Sequence, residues 1–345
     1  MVVPGFLASV FPALSVSSSP DGSPLRVEET EMRRRVLASI PALFGVTVLV
    51  FLAMRVLPGD PLAMIAGEGG SYILKEEELK AARASLGLDK PLHEQYLSWM
   101  ADVARGDLGK SFWRKEPIRD IILRRAPISG QIAIMAIAIS WLVGIPVGII
   151  SAIWRNSIPD YVSRVFVIFF LAVPAFWVAL VIVLVGVLAF TWRPPIIIAY
   201  LWDDPVTNLQ ITLGPALVLG IGVAAVTARM TRSSTLEVMH EDYVRTARAK
   251  GVRETLVVWR HVLRNALLPV VTVSGLALGG LIGGSVAVER AFLVPGLGTA
   301  LVFAVGERDW MMIQNLVLLY ALVFAVVNLL IDMTYCLLDP RIRYE

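Results

Sequence analysis

The chain is poor in charge. Only 17% of its 345 residues are Asp, Glu, Lys or Arg, whereas soluble domains carry roughly a quarter. Apolar residues make up 57%, and the mean hydropathy is +0.71. An ordinary soluble globule is thereby excluded, and the chain reads as an all-α polytopic membrane protein. Cysteine is nearly absent too. The single Cys336 excludes an intramolecular disulfide and any cysteine-based metal cluster, and it reads as a small apolar helix residue. The three histidines, His93, His240 and His261, form no HExxH pattern. None lies in an apolar run, so Ser274–Gly275 has no base of the kind a serine nucleophile needs. No catalytic, metal or cofactor site is expected. The small residues of "SGLALGGLIGGS" read instead as a helix-packing face.

What is present is a series of apolar runs. A spanning helix needs ~20 mostly apolar residues. Six segments between charges reach that length: 36–54, 126–154, 165–192, 205–228, 265–288 and 310–331. They give a first span within 32–57 and others at about 128–153, 165–190, 208–229, 267–289 and 312–335. Pro41, Pro146, Pro174, Pro215 and Pro269 fall in or beside these runs, where membrane helices tolerate proline. Ionisable residues occur only at the ends of the spans, as with Glu289 and Asp332. A stand-alone secondary transporter, which would need charge near mid-membrane for ion coupling, is disfavoured.

Basic residues in short loops set the orientation. They cluster at 33–35, at Arg155 and Arg164, and through 229–264, while 193–204 holds only Arg193. Both termini, the 230–264 loop and the 339–345 tail are therefore expected in the cytoplasm, with 58–125 an extracytoplasmic subdomain. Residues 1–31 include "SVSSSPDGSP" and read as a disordered extension. Its apolar "FLASVFPAL" lacks the positive region of a signal peptide, and Met32 before "RRR" would make a start.

Residues 104–111, "ARGDLGKS", imitate a phosphate-binding loop. Such a loop needs a buried strand before it and a helix opening after it. Here the upstream residues Tyr96, Met100 and Val103 have helical spacing, and "FWRKEPIRD" follows. The expectation is an extracytoplasmic turn that binds no nucleotide.

The remaining puzzle is "EDYVRTARAKGVRETLVVWRHVLRNALLP", 241–269, an arginine-rich interlude between apolar runs. Glu241 can pair with Arg245 at i,i+4, and Tyr243, Ala247 and Lys250 share a face. Gly251 breaks this helix. A second helix follows, with Leu256, Trp259 and Leu263 on one side and Arg253, Arg260 and Arg264 largely off it. The element reads as a surface-lying anchor, a nucleic-acid contact or a docking element for a cytoplasmic partner. Nucleic acid is the weakest of the three.

With this stretch stand "RVLPGDP" (55–61), "LGLDKPLHEQY" (86–96), "GDLGKSF" (106–112), "LAVPAFWVAL" (171–180), "GGSVAVERAFLVPGLG" (283–298) and "NLLIDMTYCLLDPR" (328–341). In order and spacing over 32–345 the chain resembles permease subunits of binding-protein-dependent ABC importers. The branch is the dipeptide/oligopeptide/nickel one, and the match is to the first of its two permease subunits. That family's loop is written EAA, three residues, then glycine. Here Arg245, Thr246 and Ala247 stand at the first three positions before Gly251, a wording similar to the peptide branch.

The resemblance implies a six-span type I ABC importer permease fold in a bacterial or archaeal cytoplasmic membrane. It implies a second homologous permease subunit, two ABC ATPase subunits that hydrolyse the ATP, and an extracytoplasmic solute-binding protein. It also implies that Asp242, Tyr243, Val244, Arg245, Thr246, Ala247, Arg248, Ala249, Lys250 and Gly251 form a coupling helix that sits in a groove of the ATPase. The implied cargo is a short peptide, with nickel chelates, glycosides or oligosaccharides as alternatives.

Overall fold

The computed structural model describes residues 40, 41, 43–55 and 89–338, and the side chains only as far as 331. The expected extension 1–31, the "RVLPGDP" segment beyond Arg55 and the tail 339–345 lie outside the described residues. Among those described there is no strand, only an isolated bridge between Lys110 and Pro117. The helices are α1 (Leu43–Arg55), α2 (Leu92–Ala104), α3 (Ile118–Ile153), α4 (Ile158–Ala172), α5 (Ala175–Phe190) and α6 (Pro205–Val238). They continue as α7 (Asp242–Ala249), α8 (Glu254–Ala266), α9 (Leu268–Gly284), α10 (Val286–Ala291), α11 (Leu297–Gly306) and α12 (Trp310–Leu338).

Three of these helices, α3, α6 and α12, are individually long and apolar enough to cross a membrane. Two bent pairs pass the same test together. In the first, α4 and α5 meet at 94°; in the second, α8 and α9 meet at 45°. Within the expected span at 165–190 the helix is broken at Val173–Pro174. Proline disfavours the helical conformation in the residue before it. Val173 accordingly adopts φ −85° and ψ 126°, and Pro174 starts a new helix in a new direction. Proline within α3 (Pro127, Pro146) and α6 (Pro215), by contrast, leaves those helices unbroken.

The centre of the molecule is the α3–α6 pair. A Cβ on Gly144 would lie 2.7 Å from the Ala224 carbonyl oxygen, and one on Gly148 would lie 2.6 Å from that of Ala228. Two glycines one turn apart thus let α6 approach to backbone contact, the usual means of packing helices in lipid. Ile128, Ile132, Ala136, Ile211, Val218 and Leu219 continue the same core. The small-residue face read in α9 packs similarly, since a Cβ on Gly275 would meet Ile331 at 2.4 Å. Ser274 is used structurally: it donates to the Val270 carbonyl and accepts from the Trp141 indole N–H at 2.7 Å.

The outer surfaces are apolar. Leu142 is 76% exposed, Ile158 79% and Leu188 75%. Exposure on that scale fits helices that face lipid or a neighbouring membrane subunit. Two sets of hydrogen bonds define the ends of the bundle. Arg232 reaches Asp160, which puts the α3–α4 turn at the α6–α7 end. Tyr200 donates to the Arg124 carbonyl, and Gln131 to Asn208 at 2.6 Å, at the opposite end. The basic turns Arg155–Arg164 and 229–264 thus share one end of the bundle.

Candidate functional site

The arginine-rich interlude folds as helix α7, a glycine turn and helix α8. Asp242 stands in the first turn of α7 and Arg248 in the last, both placed favourably for the helix dipole. The end of α7 is a Schellman motif. The Gly251 N–H donates to the Arg248 carbonyl at 2.9 Å and the Val252 N–H to the Ala247 carbonyl at 3.3 Å. Gly251 takes φ +75°, a left-handed conformation in which glycine has no Cβ penalty. The space around its missing Cβ is open, so it is the backbone angle and not crowding that asks for glycine.

Arg248 then staples the turn. Its Nε donates to Glu254 Oε2 at 3.1 Å and its Nη2 to Oε1 at 2.7 Å. The guanidinium holds the Glu254 carboxyl below its ordinary range. On the other side, Asn265 donates to the Tyr243 hydroxyl at 2.7 Å, tying α7 to α8. Residues Val257–Val262 of α8 form a π-helical turn.

The ten residues expected to form the contact separate into two sets. Val244 and Ala247 are buried against Val257, Val262 and Ala266 of the same chain, with Val238, Met239 and Val252 around them. They face inward and are not available to a groove on another subunit. Arg248 is occupied by Glu254, and Arg245 meets Asp242 at 3.4 Å instead of the expected Glu241. Tyr243 is partly exposed, while Asp242, Arg245, Thr246, Ala249, Lys250 and Gly251 lie outward. The face that remains open is polar and mixed in charge, with Thr246 and Ala249 as its small positions.

Three buried carboxylates were not singled out from sequence as sites. Asp160, fully buried, accepts from Ser151 (2.6 Å), the Asn156 N–H (2.9 Å), Arg164 and Arg232. Glu289 is also fully buried, at the far end of α9–α10 from the docking turn. It accepts from the Gly298 and Thr299 N–H groups at 2.8 and 3.3 Å and from Ser285. It thereby caps α11, a helix of 10 residues that at ~1.5 Å per residue is too short to cross a bilayer. Asp309 caps α12 and accepts from Ser111 and the Phe112 N–H. The only sequence signal for Glu289 was its place in "VERAFLVPGLG"; Asp160 had none beyond its arginine neighbour.

The imitation phosphate loop has helix α2 before it, not a strand, and Ser111 is committed to Asp309. Among the described residues no group of three or more His, Cys, Asp or Glu side chains is placed to hold a metal.

The bundle thus combines long apolar helices with a helix–glycine–helix element between α6 and α9. Residues 144–344 match the family described as "Binding-protein-dependent transport system inner membrane component", and 31–133 match that system's N-terminal membrane component. The chain belongs to this family and is a permease subunit of a binding-protein-dependent ABC importer.

It is 43% identical to the glutathione transport system permease protein GsiC of Pectobacterium atrosepticum over 312 residues. Those residues cover 90% of this chain and 98% of the relative. Identity to GsiC of Escherichia coli strain K12 is 40% over the same length, with the same coverage. The fold is similar to the inward-facing MetNI methionine ABC transporter in its native crystal form. There the TM-score is 0.52 at 17% identity, covering 65% of this chain and 99% of that one. The named relatives are bacterial and the family is one of inner-membrane components.

Proposed function

We propose that this subunit forms one half of a heterodimeric pore that imports a short peptide, and that α7 couples the pore to an ATPase. In this reading six spans place both termini in the cytoplasm, with α1, α3, α4–α5, α6, α9 and α12 crossing and α8 on the cytoplasmic side. An extracytoplasmic binding protein delivers cargo, a second permease completes the path, and two ATPase subunits supply the free energy. The glutathione transport named for the relatives favours a small peptide over nickel chelates, glycosides or oligosaccharides.

The observation that carries the reading is the construction of the docking turn. α7 runs almost directly out of α6, packs rigidly on α8 through Val244 and Ala247, and leaves a polar face outward. A force on that face is passed to two membrane elements as rigid-body motion, the form that alternating access takes.

The test uses the outward positions. Thr246→Arg and Ala249→Arg should insert normally, lose co-purifying ATPase subunits and lose uptake of labelled glutathione and dipeptides. A surface anchor would instead find an added arginine neutral or mildly favourable beside anionic lipid. Normal uptake with ATPases retained would reject the coupling role. Ala247→Arg does not discriminate, because Ala247 is buried in its own chain.

A further inference from the structure

Of the fifteen residues of α4, only Asp160 and Ser163 are buried. Many of its apolar side chains turn outward, with Ile158 79% exposed, Val162 62%, Val165 67% and Ile168 67%, while Phe166, Val167 and Phe170 are half-buried. A helix held in this way turns only part of its apolar surface toward its own subunit. Its attachment at this end is the Asp160 carboxylate. Arg232 of α6 donates to both oxygens, Nε to Oδ1 at 3.0 Å and Nη2 to Oδ2 at 3.2 Å. Ser151 and the Asn156 N–H bind the same carboxylate from the end of α3 and the turn, and Arg164 binds it from α4 itself. Such paired guanidinium–carboxylate contacts fix orientation as well as distance.

At its other end α4 meets α5 at the 94° elbow of Val173–Pro174. The inner corner of that elbow is a cavity of about 170 Å³ lined by Phe170, Val173 and Val178 on one side and Leu217, Ile221 and Gly222 of α6 on the other. The elbow is loosely filled where the base is tightly bonded. Arg232, in turn, sits near the end of α6, six residues before its last residue Val238 and directly ahead of the docking turn.

We propose that Asp160 and Arg232 are positioning residues of the transport cycle: through this ion pair, movement of the docking turn swings α4 about the Val173–Pro174 elbow. The inference rests on the coupling reading of α7. α4 and α6 also pack against each other, and the pair adds to that packing a directional link that fixes how α4 follows α6.

The test is made on the assembled importer in proteoliposomes, with Cys336→Ser as background. Spin labels at cysteines replacing Ile168 and Leu184 read the elbow; labels replacing Leu142 and Lys250 read the docking turn. Trapping with ATP and vanadate should shift both distances in the otherwise unaltered protein. In Arg232→Gln the 142–250 shift should persist while the 168–184 shift falls below half. Asp160 keeps Arg164, Ser151 and the Asn156 amide in that variant, so the carboxylate is not left without donors. Arg164→Gln takes an equal charge from Asp160 but spares the α6 link, and it should keep both shifts.

An undiminished 168–184 shift in Arg232→Gln overturns the proposal. So does an equal loss in Arg164→Gln, as mere structural support would give, or an elbow that never moves in the parent. If ATP is hydrolysed while the 142–250 distance stays fixed in the parent, it is the coupling reading that has failed, and this inference falls with it. Should Arg232→Gln not assemble, Arg232→Lys, which keeps charge but cannot make the paired contact, carries the same comparison.

Discussion

Ser111 gives its hydroxyl hydrogen to Asp309 Oδ2 at 2.5 Å, across 198 positions of sequence. The same oxygen accepts from the Phe112 N–H, so the segment that imitates a phosphate loop is pinned to the start of α12. The serine that a nucleotide site would aim at a metal is used to hold two elements together.

Lys110→Ala should therefore leave the assembled importer's ATPase rate within about twofold, as surface substitutions usually do. A collapse of that rate would mean the motif binds nucleotide after all. Ser111→Ala, in contrast, removes a donor from a buried carboxylate and should cost about 1–3 kcal/mol, read as earlier thermal unfolding in detergent. Unchanged unfolding would show the bond to be incidental.

Orientation is checked with an impermeant thiol reagent on the Cys336→Ser background. Cysteines replacing Met100 or Trp202 should react in intact spheroplasts, and one replacing Lys250 only after lysis. Reaction at 250 from outside would invert the topology and remove α7 from any cytoplasmic partner.

The glycine turn has its own signature. Gly251→Ala should cost about 1 kcal/mol, because an L side chain must take the left-handed angle while meeting no clash. Gly251→Asn should cost less, since asparagine tolerates that region better. Hydrogen-exchange protection of the 251 and 252 amides measures both, and equal behaviour of the two variants would point to crowding as the cause.

Acid should loosen the same turn. Arg248 holds the Glu254 carboxyl below its ordinary 4.5, so its contribution is present above that value and is lost as pH falls through the lowered one. The pair is half exposed, which limits the effect to a few tenths of a kcal/mol. Protection of the 251 and 252 amides, corrected for intrinsic exchange, should drop at acid pH in the parent and stay flat in Glu254→Gln. Parallel profiles would remove the ion pair from the account.

Much of this architecture follows from patterns within a few residues. The apolar runs located α3, α6 and α12, and Gly251 marked the end of α7 because its conformational role is local. The elbow at Val173–Pro174 was harder to foresee, since other prolines in this chain leave their helices intact and only tertiary surroundings separate the cases. The direction in which Val244 and Ala247 point was likewise hidden. A short amphipathic helix shows that it has a packed face without saying whether its own chain or another supplies the packing. Asp160 meets Arg232 across 72 positions, and the Ser129 hydroxyl that accepts from the Leu297 N–H does so across 168. No spacing rule reaches that far.

The cap on α11 bears on how such subunits can be recombined. Glu289 belongs to α10, yet it satisfies the first amides of a different helix, and a Cβ on Gly298 would come within 2.8 Å of its Oε2. Residues 285–299 therefore form one indivisible cassette. A chimera with a related permease that joins the parents between 289 and 298 brings a carboxylate and its receiving loop from different ancestors. Crossovers are better made before Ser285 or beyond the end of α11.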